Sequence, residues 1–185
     1  LNTELYKYII DSLIKVSEMY LSKNNIDKSI YYIEKIEGLL SKVEYVYGMI
    51  KCKSILASVY DIGQEYERVQ AICSSCMEEC SGEYEELKII FYNHKGVAYL
   101  RCGREQEALV IFEKNIEECN KYNNLNELIK SLNNIGIIYR DYYQDANKAM
   151  TYFLEVKKIC EKNNMASNKV DALINIAATY FSKQQ

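Results

Sequence analysis

Residues 93–116 read NHKGVAYLRCGREQEALVIFEKNI, and this stretch decides the fold. Gly96 stands three residues before Tyr99, and Ala108 stands four before Phe112. Apolar residues recur between them at steps of three and four, the period of an amphipathic helix. Cys102-Gly103-Arg104 interrupts that period with a turn signal. The stretch predicts two helices joined by a tight turn. Small residues let the two backbones approach, and the large apolar residue fills the space between them.

The same pattern recurs along the chain. Tyr20, Tyr60, Tyr99, Tyr139 and Tyr180 are separated by 40, 39, 40 and 41 residues. Three before each stands Ser17, Ala57, Gly96, Gly136 or Ala177. Nine or ten after the first four come Ser29, Val69, Ala108 and Ala149, and four further on Ile33, Cys73, Phe112 and Phe153. Self-similarity at a fixed period marks a repeat architecture. Helices are expected near 3–22, 26–41, 45–62, 66–81, 84–102, 105–122, 125–143, 146–163 and 166–183, with Asp145 as an N-cap. The expected domain is one array over 1–185, with repeats at 3–43, 44–82, 83–123 and 124–164 and a terminal helix at 165–185.

Composition agrees. Pro is absent and Gly numbers seven, where average Pro usage alone would supply about nine. Apolar residues are 49% of the chain, too many for a disordered one. A net charge of −3 lacks the basic face that phosphate backbones require, so direct nucleic-acid binding is not expected. No apolar run approaches the ~20 residues of a membrane span, and seven cysteines without a secretion signal point to reduced thiols and a cytoplasmic location. A chain that opens on Leu1 reads as a fragment of a longer protein.

The four columns resemble the tetratricopeptide repeat (TPR), whose first helix carries a small residue and Tyr and whose second carries Ala and a large apolar residue. Residues 93–116 are the closest match, and residues 133–156, NNIGIIYRDYYQDANKAMTYFLEV, follow with one extra residue in the turn. The first two units are more degenerate. The period is near 40 rather than 34, and the family's opening Trp and closing Pro are missing; such long repeats are similar to those of kinesin light chains and bacterial signalling proteins. A HEAT-type solenoid has a comparable period but lacks the small-x-x-Tyr column. The resemblance implies a right-handed all-α solenoid of antiparallel helix pairs, about four and a half repeats and nine helices.

Catalytic constellations are scarce. His94 is the single histidine, and the chain has no phosphate-binding glycine loop and no nucleophile elbow, so an enzyme is not expected and neither is a cofactor. Cys73, Cys76 and Cys80 fall at i, i+3 and i+7, in columns that sister repeats fill with Ile33, Phe112, Val156 and Leu40. They read as core residues rather than as a zinc or redox site, which would want four ligands or a thiol at a helix N-terminus.

In the resembled family the first helices line a concave face that holds an extended peptide. The matching positions here are Asn93, His94, Asn133, Asn134 and Asn175, with Val97 and Ile137 one turn later, Arg101 and Arg140 near helix ends and Lys130 near a helix start. Amides offer donor and acceptor together, and Arg pairs with carboxylates in a fork. Asn133, Val97, Ile137 and Ile174 occupy the positions where a chaperone clamp needs cations, so that ligand is not expected. The reading is a protein- or peptide-binding scaffold within a larger bacterial regulator. A signalling-peptide receptor coupled to an output domain is the alternative within binding proteins. A structural oligomerisation domain, dimerising through the apolar terminal helix, is the alternative of a different class.

Overall fold

The computed structural model describes residues 2–182. The protein is all-α. Among the described residues its helices are α1 (Thr3–Ser22), α2 (Ile26–Leu40), α3 (Val46–Ile62), α4 (Tyr66–Glu79), α5 (Lys88–Arg101), α6 (Glu105–Lys121), α7 (Leu125–Ile137), α8 (Ala146–Lys162) and α9 (Ala166–Ser182). Two stretches of the expected α-helices differ. Residues 84–87 belong to a 3₁₀ turn, Gly82–Leu87, leading into α5, and Ile138–Tyr142 is a π-helical turn closing α7. None of the helices is long and apolar enough to cross a membrane.

The helix ends follow from the polar breaks. Asn25, Asn124 and Asp145 accept bonds from the backbone N–H three residues on, at 3.2, 3.2 and 2.9 Å, which satisfies donors that a helix start leaves orphaned. The first-helix tyrosines mark the opposite ends. The carbonyls of Tyr20, Tyr60 and Tyr99 accept from Asn25, Glu65 and Arg104 at 2.9, 2.8 and 3.0 Å, each across one left-handed residue: Asn24, Gln64 or Gly103, with φ of 57°, 60° and 68°. In the second turn the left-handed residue is Gln64, not the neighbouring Gly63, whose φ is −73°. Gln64→Gly should therefore stabilise the protein by about 0.5–1 kcal/mol, read as a higher urea midpoint at unchanged slope.

The π turn has the same origin as the extra residue seen in the sequence. Tyr139 precedes Ala149 by ten residues, where the three earlier pairs are nine apart. The insertion is absorbed by widening the last turn. Tyr143 N–H donates to the Ile138 carbonyl at 3.1 Å, and Asp145 N–H reaches the Tyr139 carbonyl at 2.8 Å, six residues back instead of five. The turn restores the register of α8 against α7 at the expense of one α-type ladder.

Two compact units divide the chain within α5, residues up to His94 and residues from Lys95 on. In the first, α1 packs on α2 and α3, and α3 packs on α4. Its core joins Ile10, Ile14, Ile33, Ile36, Ile55 and Val59. At the small-residue column Ser17 Oγ donates to the Ser29 carbonyl at 3.0 Å and lies 2.9 Å from Ser29 Oγ. In the second unit α6, α7, α8 and α9 pack in sequence and α7 touches α9. Its core holds Phe112, Phe153, Ile135 and Ile138 with Ala108 and Ala149. Gly96 and Gly136 are the holes for the two Phe rings: a Cβ on either would lie 2.5 Å from Cε1 of Phe112 or Phe153.

Tyr20, Tyr60, Tyr99 and Tyr139 are each covered by a cation from the start of the following helix or from its N-cap. Lys28 lies 5.0 Å from the Tyr20 ring, Arg68 5.2 Å from Tyr60, Arg104 4.4 Å from Tyr99 and Lys148 4.1 Å from Tyr139. Tyr32 stacks on Tyr20 at 5.5 Å and Tyr152 on Tyr139 at 5.7 Å. A cation over a ring face contributes ~0.5–1 kcal/mol at such exposed sites.

One core position breaks the apolar pattern. Asn115, fully buried, stands in the column of Ile36, Cys76 and Val156. Its Nδ2 donates to Ser131 Oγ at 3.0 Å, and its Oδ1 has no hydrogen-bond partner. A buried amide costs more when half-satisfied than when absent. Ser131→Ala alone should destabilise by about 1–2 kcal/mol, whereas Asn115→Val with Ser131→Ala should restore or exceed the original stability; thermal melts of the three proteins decide.

Candidate functional site

The residues of the expected binding face fall into two sets. Asn93 and His94 belong to the first unit. Asn93 is buried, 6% exposed, so it does not present its amide to a ligand as the sequence suggested. His94 Nε2 lies 3.3 Å from Ser54 Oγ, which joins α5 to α3. In that unit Asp11, Ile14, Lys15, Glu18, Tyr47 and Lys51 also line a cavity of about 290 Å³, with both signs of charge on its rim.

The second unit gathers the rest on α5, α7 and α9. Val97 and Ile137 are half-buried and pack against the Phe112–Phe153 core, as does Ile176. Arg101 is exposed near the end of α5. Lys130 is exposed and pairs with Glu127 at 2.6 Å. Asn133 and Asn134 are half-exposed on α7, and Asn175 is half-exposed on α9.

These side chains form a ladder. Asn175 Nδ2 donates to Asn133 Oδ1 at 3.4 Å, and Arg140 Nη1 donates to Asn175 Oδ1 at 3.3 Å. Arg140 completes the run on Asp141, with Nε to Oδ1 at 2.6 Å and Nη2 to Oδ2 at 3.0 Å. The guanidinium carbon sits 5.6 Å from the centre of the Phe153 ring, and the side chain is 14% exposed. The fork expected to receive a ligand carboxylate is therefore held by Asp141. Sequence reasoning missed this partner because adjacent residues on an α-helix do not face each other. Here the pair lies inside the π turn, where the ladder is widened.

A pattern runs through both units. Ser54 and Asn133 stand three before their small residues, and His94 and Asn175 stand two before theirs. In each unit the first of these positions bonds the second on the next first helix. The inner row is thus a diagonal rung between first helices as well as a surface. Its bonds in the second unit are long, 3.3–3.4 Å, at the weak end of the hydrogen-bond range, and leave donor and acceptor capacity on each amide. Beyond Arg140 a cleft of about 750 Å³ opens between Asp141, Gln144, Asp145, Asn147 and Ser182.

Cys73, Cys76 and Cys80 are each fully buried. The described residues contain no group of three or more His, Cys, Asp or Glu side chains placed to hold a metal ion. No protein-family model matches the chain, and no curated protein matches it.

Proposed function

We propose that the chain is a TPR-like scaffold that binds an extended protein or peptide segment and serves as the docking or sensor region of a larger bacterial regulator, without catalysis of its own. The observation that carries this reading is the half-exposed ladder Asn133–Asn175–Arg140 on α7, α9 and the π turn that closes α7, flanked by Asn134 and the apolar Ile137. A peptide backbone offers the same donors and acceptors that these amides share weakly with one another, so exchange costs little. Ile137 and Val97 supply apolar contact, and the open cleft beyond Arg140 gives room for one end of the segment. Cysteines that form no disulfide support a reducing, cytoplasmic setting.

The test is selection from a displayed library of random linear peptides, followed by titration of the winners. Binding should weaken about tenfold, or ~1.4 kcal/mol, in Asn134→Ala and in Ile137→Glu while helicity is unchanged. Peptides that bind all three proteins equally well would remove this face from consideration.

A further inference from the structure

The side of α9 away from α8 carries Val170, Leu173, Ile174, Ala177, Tyr180 and Phe181, all exposed, with Tyr180 at 60% and Phe181 at 74%. At 3.6 residues per turn these positions form one continuous stripe. Ala172 and Thr179 turn the opposite side of the helix inward. Ala57, Gly96 and Gly136, the counterparts of Ala177 in α3, α5 and α7, are buried, and Gly96 and Gly136 lie under a Phe ring of the helix that follows.

Two repeat patterns overlap on this stripe. Ala177 and Tyr180 stand in the columns of a first helix. Lys169–Ile174, KVDALI, carries the columns of a second helix. It aligns with Arg68–Cys73, RVQAIC, in α4 and with Lys148–Phe153, KAMTYF, in α8: a basic residue, a small or branched one next to it, and two apolar residues at the end.

The pairing of α7 with α8 supplies the register. Lys148 lies over Tyr139 at 4.1 Å and Tyr152 stacks on that ring at 5.7 Å, while Phe153 fills the hole at Gly136. Moving three residues back along the first helix, from Tyr139 to Gly136, moves the contact five residues forward along the second, from Lys148 to Phe153. The same steps in α9 lead from Tyr180 back to Ala177 and from Lys169 forward to Ile174. An antiparallel pair that sets Ile174 over Ala177 therefore also sets Lys169 over Tyr180, with Leu173 beside it. Both halves of the match lie on one helix, so the arrangement repeats under a twofold axis midway between residues 174 and 177. Such an isologous contact closes on itself.

We propose that the exposed face of α9 is a docking surface for α9 of a second copy of this chain, packed antiparallel in the register that α7 and α8 use within one chain. The apolar stripe is self-complementary in shape, with Ile174 as knob and Ala177 as hole. It is also complementary in charge, because Lys169, paired with Glu161 at 2.9 Å, stands at the register position of Lys28, Arg68 and Lys148, which cover Tyr20, Tyr60 and Tyr139.

Sedimentation equilibrium of the whole chain from micromolar to millimolar concentration tests this. The expected result is a reversible dimer of twice the 21.6 kDa chain mass. Ile174→Glu, on an exposed side chain, should leave a monomer of unchanged helicity. Ala177→Ile should raise the dissociation constant about tenfold or more by setting knob against knob, and the swap Ile174→Ala with Ala177→Ile should recover dimerisation, since it exchanges the two partners across the axis. General stickiness predicts no recovery, because the swap keeps the same atoms on the surface. A chain that stays monomeric throughout, a dimer indifferent to Ile174→Glu, or a swap no better than Ala177→Ile would each overturn the proposal.

Discussion

Replacing Gly136 with alanine is expected to destabilise the protein by about 1–3 kcal/mol, although alanine is the better helix former. In an open helix the change would gain ~1 kcal/mol of propensity. At this position the added Cβ would stand 2.5 Å from Cε1 and 2.7 Å from Cζ of Phe153. That ring is fully buried, so it cannot swing aside without moving the α7–α8 pair, and overpacking of such a core costs ~1–3 kcal/mol or more. Gly96 faces Phe112 with the same clearance, and the same loss is expected there. Gly38 provides the contrast. No atom lies within 4 Å of a Cβ built on it, so Gly38→Ala should stabilise by up to about 1 kcal/mol. A double-mutant cycle with Phe153→Leu should show a favourable coupling of ~1 kcal/mol or more, because the smaller side chain makes room for the new methyl. Urea unfolding reads all of these, and a neutral Gly136→Ala would sink the knob-and-hole account.

The second large effect concerns the thiols. Cys52, Cys73, Cys76, Cys80, Cys119 and Cys160 are buried, while Cys102 is exposed. Burial pushes the Cys52 and Cys119 thiols up to about 12 and Cys76 up to about 11, and raises Cys80 and Cys160 as well. The thiolate is the reactive form. A disulfide reagent at pH 8 should therefore modify one thiol per chain at once. The other six should follow about a thousandfold more slowly, as fits openings costing ~4 kcal/mol. Three further fast thiols would return Cys73, Cys76 and Cys80 to chemistry.

The same shifts set a pH dependence. Above the ordinary thiol value of 9.0, unfolded chains release these protons while the folded protein keeps them. The unfolded state then binds fewer protons, and stability falls as pH rises. The thermal midpoint should hold up to about pH 9 and decline between about 9 and 12. Replacing Cys52 and Cys119 by alanine should flatten that slope.

Much of the fold was legible because packing repeats itself. Small-x-x-Tyr and Ala-x-x-x-Phe each record one contact, and a contact made again every forty residues leaves a column that a single sequence displays. The helix ends were legible for a local reason, since Asn25, Asn124 and Asp145 cap within three residues of themselves. The expected binding face was only half legible. Position alone placed Asn133, Asn175 and Arg140 on one side, but position cannot tell an amide that waits for a ligand from one already bonded to its neighbour.

By itself, then, the sequence determined the all-α class, most of the helix limits and the burial of the cysteine face, because each rests on periodicity or on contacts close along the chain. Tertiary structure alone decided that Asn93 is buried, that Asp141 holds the Arg140 fork, and that Asn115 keeps an unsatisfied oxygen. The first and last depend on how separate helices pack, as α6 and α7 do where Asn115 meets Ser131 sixteen residues on, and the second on the π turn, which brings two adjacent side chains together. At that range a single turn of π-helix is enough to change the partner.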